Sequence, residues 1–244
     1  MQEKSAAVAA PDKAKPAGIT IDTLVDGAQK ACSNAEALFS EAQLLSKHGA
    51  HARALSLHQI SLEECSKVEL LGAWSMSLLR GTDLDPRQIT KAFGSHAAKN
   101  KLNAYMLEPS EEEIAARDKG DWQAALEAFE KTQTGFHKFS NSNKNASLYV
   151  DWTGAAFVAP VDVISAKLAT EIAGLNARFL DHARLQMRMF ARLQSSGDLL
   201  KPLLTELMGK LEKLGGEKTE DRIAGADVAM SEFLEAAIAT SNKE

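Results

Sequence analysis

The chain has 244 residues, a formal net charge of −5, and a composition that is 45% hydrophobic and 25% charged. That suffices for one substantial buried core and argues against a general nucleic-acid binder. No apolar run approaches the ~20 residues needed to cross a bilayer, and the Ala-, Lys- and Pro-rich residues 1–18 lack the apolar centre of a signal peptide. The expectation is a cytoplasmic protein with a disordered tail over 1–18, a helical core over 19–195 and a C-terminal helical extension over 196–244.

From Ile21, apolar or small residues recur at Leu24, Ala28, Ala31, Ala35, Leu38, Ala42 and Leu45. Steps of three and four predict a long first helix, with Gly49 as its C-terminal stop. A second helix is expected from about Ala50 to Arg80, ending at Gly81. Its stripe of Leu57, Ile60, Val68, Leu71 and Leu78 is interrupted by Glu64, with Lys67 one turn later. A carboxylate turned toward a core needs a partner, because an unpaired buried charge costs several kcal/mol. Glu63, about 100° round the helix, is expected at the surface with Lys67 as its i+4 partner. Cys32 and Cys65 sit on or beside apolar positions, as buried reduced thiols do.

Asp85 and Pro86 read as the N-cap and first residue of a third helix running to about Leu107. Ile89, Phe93, Ala97 and Ala104 form its stripe, and His96 lies beside it. Residues 86–107 carry Arg87, Lys91, Lys99 and Lys101 with no acidic residue. Ser110 then caps a segment opened by three glutamates, which favour the positive end of a helix dipole, and a break is expected near Gly120. Trp122, Leu126, Phe129, Phe136 and Phe139 keep helical spacing and are expected in the core.

"SNSNKNASLYVDWTGAAFVAP" reads as a polar loop and a small β-hairpin at about 148–158. Pro160 opens a long helix to about Gln194, and two more are expected near 198–214 and 219–240, set off by Gly197. Arg184, Arg188 and Arg192 share one helical face at i, i+4, i+8. Either basic stretch could contact RNA or a partner, or form a solvated face balanced by acidic neighbours. Arg178 and His182, with Asp181 between them, fit a surface ion-pair network.

The fold class is therefore all-α, a bundle of long antiparallel helices with one small hairpin. If the second and third helices are neighbours, Glu64 and Lys67 meet His96 and Lys99. A His oriented by a carboxylate and flanked by ammonium groups can act as general base while the cations stabilise a phosphorane, as metal-free RNA cleavage requires. The same four residues can instead fix helix register. There is no Gly-rich phosphate loop, Cys pair at metal spacing, His-Glu-x-x-His or Gly-x-Ser-x-Gly, so neither cofactor nor metal is expected.

Three segments, "AEALFSEAQLLSKHGAHARALSLHQISLEECSKVELL", "KAFGSHAAKNKL" and "KNASLYVDWTGAAFVAP", resemble in order the characteristic blocks of bacterial AbiV-type abortive-infection proteins, over roughly residues 24–180. That resemblance implies a HEPN-like helical domain and a homodimer. It further implies phage defence by growth arrest, acting on translation and triggered by a phage-encoded activator, with the ribosome or RNA as further partners. The family's Glu-Glu-x-x-Lys falls on Glu63, Glu64 and Lys67, and its His-x-x-Lys on His96 and Lys99. The chain departs from many HEPN ribonucleases, which carry Arg, four to six residues, then His. Arg87 is nine positions before His96, and the literal match, Arg53 to His58, lies inside the second helix.

Overall fold

A computed structural model describes residues 18–95, 107–214, 225–226, 228–233 and 235–236. The expected tail lies outside these residues apart from Gly18. Helix α1 (Ile21–Lys47) begins where the Thr20 hydroxyl accepts the Thr23 N–H, and Gly49, at φ +76°, turns the chain into α2 (His51–Leu79). A positive φ strains any residue with a Cβ, which is why glycine occupies this turn. Helix α3 (Pro86–Gly94) starts on the Asp85 carboxylate. Helices α4 (Glu111–Asp118) and α5 (Trp122–Leu148) are divided at Gly120, φ +70°, and capped by Ser110 and Asp121. A ribbon of β1 (Asp151–Trp152) and antiparallel β2 (Phe157–Val158) leads to the short α6 (Pro160–Val163) and the 48-residue α7 (Ala166–Lys213). At 1.5 Å per residue α7 is about 70 Å long. The described residues are all-α apart from the hairpin.

Helix α2 is the centre. It packs against α1 on one side, α7 on another and α5 on a third, so it is buried nearly all round, as a helix inside a bundle must be. The main core joins Leu24, Val25 and Ala28 of α1, Leu55, Leu62 and Val68 of α2, and Phe179, Leu180 and Phe190 of α7. Serines are tolerated on α2 because Ser56, Ser66 and Ser75 return their hydroxyl protons to carbonyls of their own helix, at 2.8, 2.7 and 2.9 Å. That satisfies the donor without a partner helix and keeps the side chain small. Beyond this core, Leu204, Leu207 and Ala229 are buried, and Lys210 reaches Glu232 at 2.7 Å.

Several expected boundaries move. The stretch "SNSNKN" belongs to α5, not to a loop: Ser140 and Ser147 are buried and Lys144 pairs across to α2. Tertiary contact here outweighs the weak helix propensity of Ser and Asn. Pro160 opens only one turn, because Ile164 turns into the core and the Ser165 hydroxyl caps a new helix at Leu168 N–H, 3.1 Å away. The break expected at Gly197 is absent, since α7 runs through it. A glycine inside a helix costs only about 1 kcal/mol. The third helix ends at Gly94, and residues 96–106 lie outside the described ones.

The aromatic stripe of α5 is also corrected. Ala125, Ala128 and Phe136 face inward with Ser140 and Ser147, while Trp122, Leu126 and Phe139 are exposed. Small side chains let α5 approach its neighbours, and the bulky ones at similar spacing are left on the other face.

Candidate functional site

The turn Glu63–Lys67 lies where α2 faces both α5 and α3. Consecutive helical residues point about 100° apart, so the two glutamates serve different neighbours. Glu63 is 4% exposed, and its Oε1 lies 2.7 Å from Nζ of Lys144 on α5. Glu64 is also largely shielded, its side chain 13% exposed, and pairs within its own helix, Oε1 to Lys67 Nζ at 2.5 Å. The sequence expectation put Glu63 at the surface on Lys67; instead Glu63 is buried against Lys144, and Lys67 goes to Glu64. That expectation placed α2 on a single apolar stripe, whereas α5 covers a second face and makes Glu63 the interior carboxylate.

Lys67 also sits over the ring of Phe93 on α3, with Nζ 5.3 Å from the centroid. Phe93 in turn stacks on Trp74 of α2, centroids 6.3 Å apart and planes at 15°. A cation over an aromatic face gains about 0.5–2 kcal/mol, more as water is excluded. Residues from all three sequence blocks therefore converge: Glu63, Glu64 and Lys67 from the first, Phe93 from the second, Lys144 from the third. His96, Lys99 and Lys101, expected here or nearby, lie outside the described residues. Arg87 and Lys91 are exposed on α3.

Chemically, the turn holds two carboxylate–ammonium pairs, one reaching α5 and one beside α3. Each ammonium carries three donors, and Lys67 gives one to Glu64 and presents its charge to Phe93. An approaching anion would compete with Glu64 for Lys67. Among the described residues no group of three or more His, Cys, Asp or Glu side chains is placed to hold a metal ion.

The Arg53–His58 match is not a site. Arg53 is exposed, whereas His58 is 1% exposed within the core. Asn176 of α7 contacts His58 through Nδ2, 3.0 Å from Nδ1. With the amide donating, the ring proton falls on Nε2. Asn176 Oδ1 accepts from Ser61 at 3.2 Å, and the same hydroxyl lies 2.8 Å from the Ala35 carbonyl of α1. Phe39 packs edge-on to the ring at 5.2 Å. Burial pushes the His58 pKa down to about 4, because the imidazolium would lose its hydration. This network links α1, α2 and α7. Its legible signal is Asn176, a polar residue on the stripe Ile172, Phe179, Leu180, Ala183.

The arginine stripe is partly committed to ion pairs. Arg184 meets Glu36 at 2.8 Å and Asp181 at 3.0 Å, and Arg178 meets Glu108 at 2.9 Å. Arg188 is exposed, and the side chain of Arg192 lies outside the described ones. His182 Nε2 is 2.6 Å from Glu69 Oε1, a hydrogen bond whenever that nitrogen carries a proton, and Gln186 donates to the other oxygen at 2.5 Å. Both cysteines are free and buried. Burial, with Cys32 and Glu64 nearby, raises the Cys65 pKa to about 12. Among the described residues, no helix is long and apolar enough to cross a membrane.

Residues 23–181 match the HEPN_AbiV family model, described as AbiV. The chain is also similar to the uncharacterized protein y4gJ of Sinorhizobium fredii (strain NBRC 101917 / NGR234), with 42% identity over 123 residues. That segment covers 50% of this chain and 64% of the relative, so it spans less than two thirds of the relative's length. No solved structure matches.

Proposed function

Because the chain belongs to the AbiV family of HEPN proteins, we propose that it is a bacterial abortive-infection effector that a phage component triggers to arrest growth of the infected cell. In this reading it is a cytoplasmic homodimer that inhibits translation by binding a partner, the ribosome or RNA being the targets of choice. The observation that carries the reading is the convergence of the three family blocks on Glu63, Glu64, Lys67, Phe93 and Lys144. The one Arg-x4-His match lends no support to RNA cleavage, because its His58 is sealed in the core and bonded to Asn176. An imidazole only 1% exposed cannot reach a ribose hydroxyl.

The test is phage challenge of cells carrying wild type, Glu64→Gln or Lys67→Met, with incorporation of labelled methionine and total RNA integrity followed after infection. The expected result is protection by wild type, a fall in translation with RNA intact, and loss of protection in both variants while circular dichroism shows that they remain folded at the assay temperature. RNA fragmentation that keeps pace with the arrest, and disappears in His96→Ala, would replace this reading with a metal-independent ribonuclease using His96 as base. Full protection by both variants would show that the cluster only holds the fold.

A further inference from the structure

The hairpin and the turn after it expose a run of large apolar side chains. Tyr149, Val150, Trp152, Phe157, Val161 and Val163 are each at least 50% exposed. Six large apolar side chains exposed within fifteen residues differ from the single scattered ones that a monomer's surface ordinarily carries. The register pairs Trp152 with Phe157 on one face of the ribbon, rings 4.9 Å apart, so the aromatic pair points outward. A ribbon this short is not stable by its own pairing, and such a face costs solubility unless it is used.

Charge and backbone narrow the occupant. From 145 to 166 the chain has no Lys or Arg, and its charged residues are Asp151 and Asp162, both exposed. Two copies meeting symmetrically through this face would bring four carboxylates together without a cation from either segment. An anionic lipid surface is disfavoured for the same reason. The Thr153 N–H bonds the Ala156 carbonyl at 3.0 Å, which makes Trp152 and Phe157 the pair whose backbone groups point away from the ribbon. On the β1 edge the Trp152 N–H is taken by Asp151 Oδ1 at 2.8 Å. The β2 edge at Phe157 is the one left for an incoming strand.

We propose that residues 148–163 dock an extended apolar peptide segment with basic flanks, belonging to another protein, along the β2 edge and over the Trp152–Phe157 face. Main-chain bonds at Phe157 set its direction, the aromatic pair takes its apolar side chains, and Asp151 and Asp162 select lysine or arginine at its ends. This inference is independent of whether the arrest acts on translation.

The experiment uses the full chain and a fluorescein-labelled peptide with a Val-Thr-Phe-Thr-Ile centre and paired lysines at each end, read by anisotropy. A control peptide carries glutamates in place of the lysines. The expected result is saturable binding of the lysine peptide, weakened about tenfold or more by glutamate ends or by Trp152→Ser with Phe157→Ser. Asp151→Asn with Asp162→Asn, which leaves the aromatic pair intact, should remove the preference between the two peptides. Circular dichroism and melting temperature should stay at wild-type values in both variants, because these side chains lie outside the core. Absence of saturable binding, equal binding of the two peptides, or unchanged binding by the serine variant would each overturn the proposal. So would a fall from dimer to monomer in the serine variant by light scattering, which would give the face to a second copy.

Discussion

Lys144 of α5 places its Nζ 2.7 Å from Oε1 of Glu63 on α2, and both side chains are largely shielded, 13% and 5% exposed. The pair fastens the outer helix to the central one at the turn that carries the family motif. Buried pairs contribute little over an apolar substitute, but removing one partner strands the other charge.

Lys144→Ala is therefore expected to destabilise the protein by about 3 kcal/mol. Glu63→Leu with Lys144→Met should cost clearly less than the sum of the single changes. Urea unfolding of the four proteins in this cycle measures the coupling directly, and strict additivity would mean that the two residues do not act as a pair.

His58 gives a pH dependence with a fixed sign. Its folded pKa is about 4 against 6.5 for the free side chain, so above pH 6.5 both states are neutral and the group has no effect. Between pH 6.5 and about 4 the unfolded chain takes up a proton that the folded one refuses, and stability falls by about 1.4 kcal/mol per pH unit, or about 3 kcal/mol in all. His58→Phe should be less stable at pH 7 by about 1–3 kcal/mol, because Asn176 Nδ2 loses its acceptor. That deficit should shrink as pH falls toward 4. Denaturant curves at pH 7, 6 and 5 test it, and parallel losses in both proteins would remove His58 from the acid response.

The two thiols should be silent in the native state. Cys65, with its pKa near 12, has almost no thiolate at pH 8, and Cys32 is also buried and shifted upward. Ellman's reagent is expected to titrate both cysteines in guanidinium within minutes, with the native protein reacting at least ~100-fold more slowly. Rapid modification of the folded protein would place one of them at an accessible position.

The two faces of α5 make a contrast that stability measurements can read. Phe136 is buried and Leu126 is 52% exposed. Phe136→Ala should cost about 3 kcal/mol, whereas Leu126→Ser should stay within about 0.5 kcal/mol of wild type. Equal losses at the two positions would mean that something covers the exposed stripe in solution.

Much of the fold was legible along the chain. The 3–4 spacing from Ile21 to Leu45, the stops at Gly49 and Gly81, the Asp85–Pro86 start, the Ser110 cap, the Gly120 break and the hairpin all follow from local chemistry. The site was legible in part. Lys67 was expected on Glu63 and bonds Glu64 instead, the third helix reaches this turn through Phe93, and Lys144 gave no sign of itself inside what read as a polar loop.

What the sequence by itself determined was where the chain turns and which stretches are helical, because caps, glycines at positive φ and apolar periodicity act over a few residues. Only the tertiary structure decided which face of each helix is interior. Helix α2 has neighbours on several faces, so its one apolar stripe did not fix the direction of Glu63 or Glu64, and His58 became a core residue only because Asn176, 118 positions away, arrives with a donor. The same holds for α5, where packing took in Ala125, Ala128 and Phe136 and left Trp122, Leu126 and Phe139 outside. A helix carries its period in its own sequence, but the side that is buried is set by the helices that come to lie against it.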